Sequence, residues 1–91
     1  MKLIIEVEIL KAKNTTKAEF FKDIEVGDKL ILESFVMYPY DNPDIVKVLN
    51  QRNNKTRKDF AGNIHRYLDT NFKYKIDRVY YDVKEFGMGG N

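Results

Sequence analysis

Cysteine is absent from the sequence, and histidine and serine occur once each, as His65 and Ser34. The first absence excludes disulfide staples, cysteine-ligated zinc, iron–sulfur clusters and thiol catalysis. The scarcity of the other two leaves little material for hydrolytic chemistry of the serine–histidine kind. Both prolines, Pro39 and Pro43, fall in one short stretch. No apolar run approaches the roughly 18 residues that a membrane helix needs. Nor does the N-terminus read as a secretory leader. Glu6 and Glu8 interrupt the apolar stretch that opens at Leu3, where a leader needs about 7–15 apolar residues in a row. These readings predict a cytoplasmic protein with no membrane contact and no cofactor. What remains is an ordinary globular mix, 43% apolar and 33% charged over 91 residues. That is enough for one small domain whose stability must come from its core.

The apolar pattern is mostly of period two, which is the signature of strands. Leu3, Ile5, Val7 and Ile9 share one parity, with Glu6 and Glu8 on the other. Residues 17–21 read either as an arm or as a loop that lays Phe20 or Phe21 on the core. Asp23 to Asp28 is a turn, with Gly27 free to take positive φ and Asp28 able to accept a local hydrogen bond. A strand is predicted over 29–38, with Leu30, Leu32, Val36 and Tyr38 on one face. Tyr38-Pro39-Tyr40-Asp41-Asn42-Pro43-Asp44 reads as a loop, and Ile45 to Asn50 as a strand by its β-branched content. Residues 51–55 form a hairpin tip, and Thr56 starts the return strand.

From Phe60 the period changes. Phe60, Ile64, Tyr67 and Leu68 fit one face of a short helix over 61–70. Phe72 to Val83 reads as the last strand, with a change of parity near Asp77-Arg78 that a bulge would produce. The predicted core is Leu3, Ile5, Val7, Ile9, Leu30, Leu32, Val46, Val48, Leu68 and Ile76. The element order is four strands, a short helix and a fifth strand. The fold class is therefore mainly β: a small antiparallel SH3-like β-barrel spanning 1–86, followed by a flexible Gly-rich tail over 87–91. An OB-fold is the alternative, although its helix lies between the third and fourth strands.

Catalytic constellations are missing. Glu6 and Glu8 read as a solvated strand face rather than an acid–base pair, and Asp41 and Asp44 lack the spacing of a calcium loop. His65 reads as a surface residue, so no enzyme is predicted. Charge is distributed unevenly. Residues 1–46 carry six cations and nine carboxylates, whereas residues 47–66 carry Lys47, Arg52, Lys55, Arg57, Lys58 and Arg66 against Asp59 alone. A basic hairpin interspersed with amides such as Asn53 predicts contact with a nucleic-acid backbone. Tyr40, Phe60 or Tyr67 could serve as stacking partners. The competing reading is a charged tip that prevents edge pairing. Replacing Arg52, Lys55 and Arg57 together should, if they are free surface charges, leave the thermal midpoint unchanged. Tyr38 and Tyr40 around Pro39 suggest either an interface patch or core packing over the barrel mouth.

The segment Phe21-Lys22-Asp23-Ile24-Glu25-Val26-Gly27-Asp28 followed by a strand resembles the opening of small uncharacterised proteins carried by phages and prophages of low-GC Gram-positive bacteria. Val46-Lys47-Val48-Leu49-Asn50, Thr56, Arg66-Tyr67-Leu68 and Phe72-Lys73-Tyr74 fit the same outline, over roughly residues 20–76. The YPYDNPD loop and Gly62-Asn63 depart from it. The resemblance implies a phage accessory protein with a small barrel fold and no catalytic residues. It leaves three readings open: a nucleic-acid-binding module, an inhibitor or modulator that binds a host protein, and a virion component.

Overall fold

The computed structural model describes residues 1–13 and 18–83. The tail expected over 87–91 lies outside the described residues. Among the described residues five antiparallel strands form one sheet in the order β4-β3-β2-β1-β5. They are β1 (Lys2–Ala12), β2 (Lys29–Phe35), β3 (Ile45–Asn50), β4 (Thr56–Phe60) and β5 (Phe72–Asp82). The one-turn α1 (Glu19–Lys22) precedes β2, and α2 (Ala61–Asn71) joins β4 to β5. This is the SH3-like order, with the longer helix before the last strand as expected. The OB-fold alternative does not fit that position. Among the described residues no helix is long and apolar enough to cross a membrane.

Among the described residues the sheet does not close by hydrogen bonds, and β4 and β5 are its edges. The two helices lie against the inner face. Phe20, Phe21 and Ile24 join Ile64 and Leu68 over Val7, Ile9, Leu30, Leu32, Val46 and Val48. At the base, Lys13 N–H donates to the Asn71 carbonyl at 2.9 Å, which ties the end of α2 to β1. The ambiguity of the segment before Asp23 thus resolves as a helical turn that drives both Phe20 and Phe21 into the core. With α2 at that end, Leu3 and Ile5 at the other end of β1 are only half-buried, whereas Ile4 is buried between Glu33 and Tyr80.

Several expected core assignments are corrected. Ile76 is 58% exposed, because it sits on an edge strand with no neighbour beyond it among the described residues. Tyr38 is exposed, since β2 ends at Phe35 and the chain turns away. Phe60 does not join the helical face. It is the last residue of β4, pairs with Ile45 and points to the outer side of the sheet. The bulge is where the parity change placed it. Glu6 pairs with Arg78 and Val7 with Ile76, so Asp77 is the extra residue. A second irregularity, at Leu10, lies in β1.

Gly27 serves the turn that leads into β2. Its φ of +92° belongs to the left-handed region, and the Asp28 N–H closes the turn on the Glu25 carbonyl at 3.0 Å. Its own N–H donates to Ile9 O at 2.8 Å, so the turn is anchored on β1. A Cβ here would meet no atom, and strain alone opposes it. Gly27→Ala is expected to cost about 1 kcal/mol in urea unfolding. A neutral or stabilising result would show that the turn can relax to negative φ.

Candidate nucleic-acid interface

The basic segment does not form one surface. Its members separate onto the tip, the two faces of the sheet and the helix. Arg52 lies at the tip. Its Nε donates to Asp28 Oδ1 at 2.7 Å and its Nη2 to the Asp23 carbonyl at 2.6 Å. Lys55 Nζ reaches Asp23 Oδ2, also at 2.7 Å. Two tip cations therefore bind the Asp23–Asp28 turn that leads into β2. Asn53 caps the tip from within, accepting the Lys55 N–H at 3.0 Å. Asn54 takes the left-handed conformation, with φ 61°.

Asp28 is the centre of this arrangement and is buried. Its Oδ2 accepts the Glu25 N–H at 2.8 Å and Asn50 Nδ2 at 2.9 Å. Burial alone would push the Asp28 carboxyl up. The hydrogen bonds from Arg52, Glu25 and Asn50 outweigh it and hold the group below its ordinary value of 3.8. Asp23 is likewise held low, mainly by the hydrogen bond from Lys55, which is itself pushed up by the same contact. Arg52 is raised by its bond to Asp28.

Arg57 faces inward. Its guanidinium lies 5.7 Å from the Phe21 ring and 5.6 Å from the Tyr67 ring, and pairs with Asp59 Oδ2 at 3.0 Å. Asp59 also accepts from Asn63 and from the Phe60 N–H, and the Asn63 bond does most to lower its pKa. Tyr67 stacks on Phe21 at 4.7 Å and so is not open to a base. Arg66 stands on the exposed side of α2, with Nη2 at 3.2 Å from Asn63 Oδ1. The tip's excess charge is thus largely compensated within the molecule. Arg52, Lys55 and Arg57 are each engaged by carboxylates of the chain, where the sequence reads them as free surface charges.

Lys47 and Lys58 are different. They face each other directly across β3 and β4 on the outer face, and among the described residues neither enters an ion pair. Like charges in that relation are unfavourable unless an anion lies over them. The register builds two rows across this face. Ile4, Glu33, Lys47 and Lys58 form one; the adjacent row runs through Lys2 and Phe35 to Ile45 and Phe60. Phe35 and Phe60 are each 64% exposed. A groove of about 560 Å³ on this face is lined by Phe35, Ile45, Lys47 and Lys58, and also by the carboxyl side chains Glu33, Asp41 and Asp44. Lys2 pairs with Glu33 at 3.5 Å at its margin. Further along the outer face, Glu6 pairs with Arg78, and Glu8 with Lys29 and Lys75.

Of the expected stacking residues, Phe60 is on this face and Tyr40 stands apart. Tyr40 occupies the third position of a turn over Tyr38–Asp41, at φ 71° and 91% exposed. Its N–H donates to the Tyr81 hydroxyl at 2.9 Å, which holds a conformation that non-glycine residues rarely adopt. Phe35, Ile45 and Lys2 have no signal in the sequence as partners of Lys47. Their proximity is created by strand register alone. No group of histidine and acidic residues among the described residues could hold a metal ion.

No protein-family model matches this sequence, and comparison with curated proteins and with solved structures returns no match.

Proposed function

We propose that the chain is a non-enzymatic binding module that holds single-stranded nucleic acid on the outer face of its sheet, as an accessory protein of the phage type that the sequence resembles. The observation that carries this reading is the unpaired Lys47–Lys58 couple next to the exposed Phe35 and Phe60 rings. Stacking platforms flanked by cations suit single strands, because any base offers a π-face and the backbone supplies the anion. The hairpin tip supports the platform rather than serving as the contact.

Fluorescence anisotropy with a labelled single-stranded oligonucleotide tests it. Phe35→Ala and Phe60→Ala are each expected to weaken binding by about 1–3 kcal/mol. Lys47→Gln with Lys58→Gln should flatten the slope of log affinity against log salt by roughly 1.4, at about 0.7 per phosphate. The exposed positions leave the fold intact, so the thermal midpoint serves as control. Absence of any anisotropy change at about 50 mM salt, where phosphate contacts are strongest, would reject the reading. A second reading, a protein partner held by the tyrosine loop, is favoured by the strained and exposed Tyr40, and would then take precedence.

A further inference from the structure

Among the described residues β5 is an edge strand of eleven residues, whereas the opposite edge, β4, has five. Long edges invite pairing, and proteins usually blunt them with prolines, brevity, lysines, bulges or inward charges; β5 has Lys73, Lys75 and a bulge, but its apolar residues stay open. β5 contains no proline and exposes Ile76 and Val79, at 58% and 54%. Its bulge has a further effect. Tyr74 and Ile76 lie opposite Ile9 and Val7, on the inner face, and so do Val79 and Tyr81 opposite Ile5 and Leu3. Lys75, Arg78 and Tyr80 lie opposite Glu8, Glu6 and Ile4, on the outer face. Asp77 is also on that side, within 3.9 Å of Lys29 and 3.7 Å of Lys75.

A two-fold axis pairs a strand with its own copy in antiparallel sense. In a regular strand the facing residues must have the same sequence parity for their side chains to share a face. The extra residue at Asp77 inverts that rule across the bulge. A two-fold centred between Asp77 and Arg78 sets Ile76 opposite Val79 of the second copy, both on the inner face. It sets Asp77 opposite Arg78, both outer, and Tyr74 opposite Tyr81, both inner. Apolar meets apolar, and the central contact is an opposite-charge pair repeated twice by the symmetry. Such direct pairs are the unit of sheet stabilisation.

We propose that the chain dimerises through β5 in this register, extending the sheet into a second copy. The proposal does not rest on nucleic-acid binding, since Phe35, Lys47 and Phe60 lie on other strands.

Sedimentation equilibrium of the full chain tests it. The mass should rise from 10.8 kDa towards twice that value as concentration is raised from about 1 µM to about 500 µM, by mass action. Arg78→Asp would place two like charges opposite Asp77 and should weaken association at least about tenfold. Combining it with Asp77→Arg restores the pair with reversed polarity and should recover most of the loss. Far-UV circular dichroism and the thermal midpoint confirm that each variant folds. Register is read independently by cross-linking in the cysteine-free chain. An equimolar mixture of Ile76→Cys and Val79→Cys should give a disulfide-linked dimer on oxidation, and either variant alone should not, because only the mixed pair is directly opposed. A monomer throughout the concentration range overturns the proposal. So does Arg78→Asp associating like the wild type, a double charge swap no better than the single change, or cross-linking by a single cysteine variant as efficient as by the mixture.

Discussion

Asp28→Ala is expected to destabilise the protein by about 2–4 kcal/mol, between the ~1–3 of an unsatisfied buried donor and the ~3–5 of a broken buried ion pair, because Arg52 is partly exposed. Three donors lose their acceptor. The Asn50 amide, fully buried in the fold, loses its acceptor, the Glu25 N–H loses its turn partner, and Arg52 loses its 2.7 Å contact. The pH dependence identifies the cause. Because Asp28 in the folded chain sits below 3.8, its contribution is fully present above that value and is lost as pH falls below it. The wild type should therefore lose stability on acidification through this range, with Asp23 and Asp59 adding in the same direction. Asp28→Ala should lose less over the same interval. Urea titrations at pH 7 and at about pH 3 give the comparison. Equal acid sensitivity in both proteins would show that Asp28 is not the group that matters. By the same geometry, joint replacement of Arg52, Lys55 and Arg57 should lower the thermal midpoint, since two of these side chains hold the tip on the turn and the third packs against the stacked Phe21 and Tyr67 rings.

Phe21→Ala should cost about 3–5 kcal/mol, the range for deleting a buried aromatic ring and leaving a cavity. Phe21 is wholly buried, stacks on Tyr67 at 4.7 Å and meets Phe20 edge-on at 5.1 Å. A chain of this length has about 5–14 kcal/mol of total stability at ~0.05–0.15 kcal/mol per residue. The variant would then be near its folding limit, and unfolding is best followed at low temperature. Loss of the ring also uncovers one side of the Arg57 guanidinium, so the damage spreads to the Asp59–Asn63 contact that opens α2. Phe21→Leu keeps most of the volume and should cost markedly less. A loss below about 1 kcal/mol for Phe21→Ala would mean that α1 is not part of the cooperative core, because buried aromatic deletions are not that mild.

Local chemistry was enough to place the strands, the β3–β4 tip, the helix before β5 and the bulge at Asp77. Period-two alternation, β-branched runs, Gly27 and a parity change each act within a few residues. Strand order followed from the number and type of elements. The sequence could not say which cations would remain free. Arg52 and Lys55 are neutralised by carboxylates 24 and 32 positions away, and charge counted along the chain cannot register a partner brought in by folding. Nor could it distinguish Phe20, Phe21 and Ile64 as core from Ile76 as edge, since identical apolar residues differ only in whether a neighbouring element covers them. Phe35 and Phe60 became neighbours of Lys47 and Lys58 through antiparallel register, in which a shift of one residue would have turned them to the opposite face. Apolar pattern thus determined the elements, whereas the pairing of distant charges and the composition of each face were decided by how those elements pack.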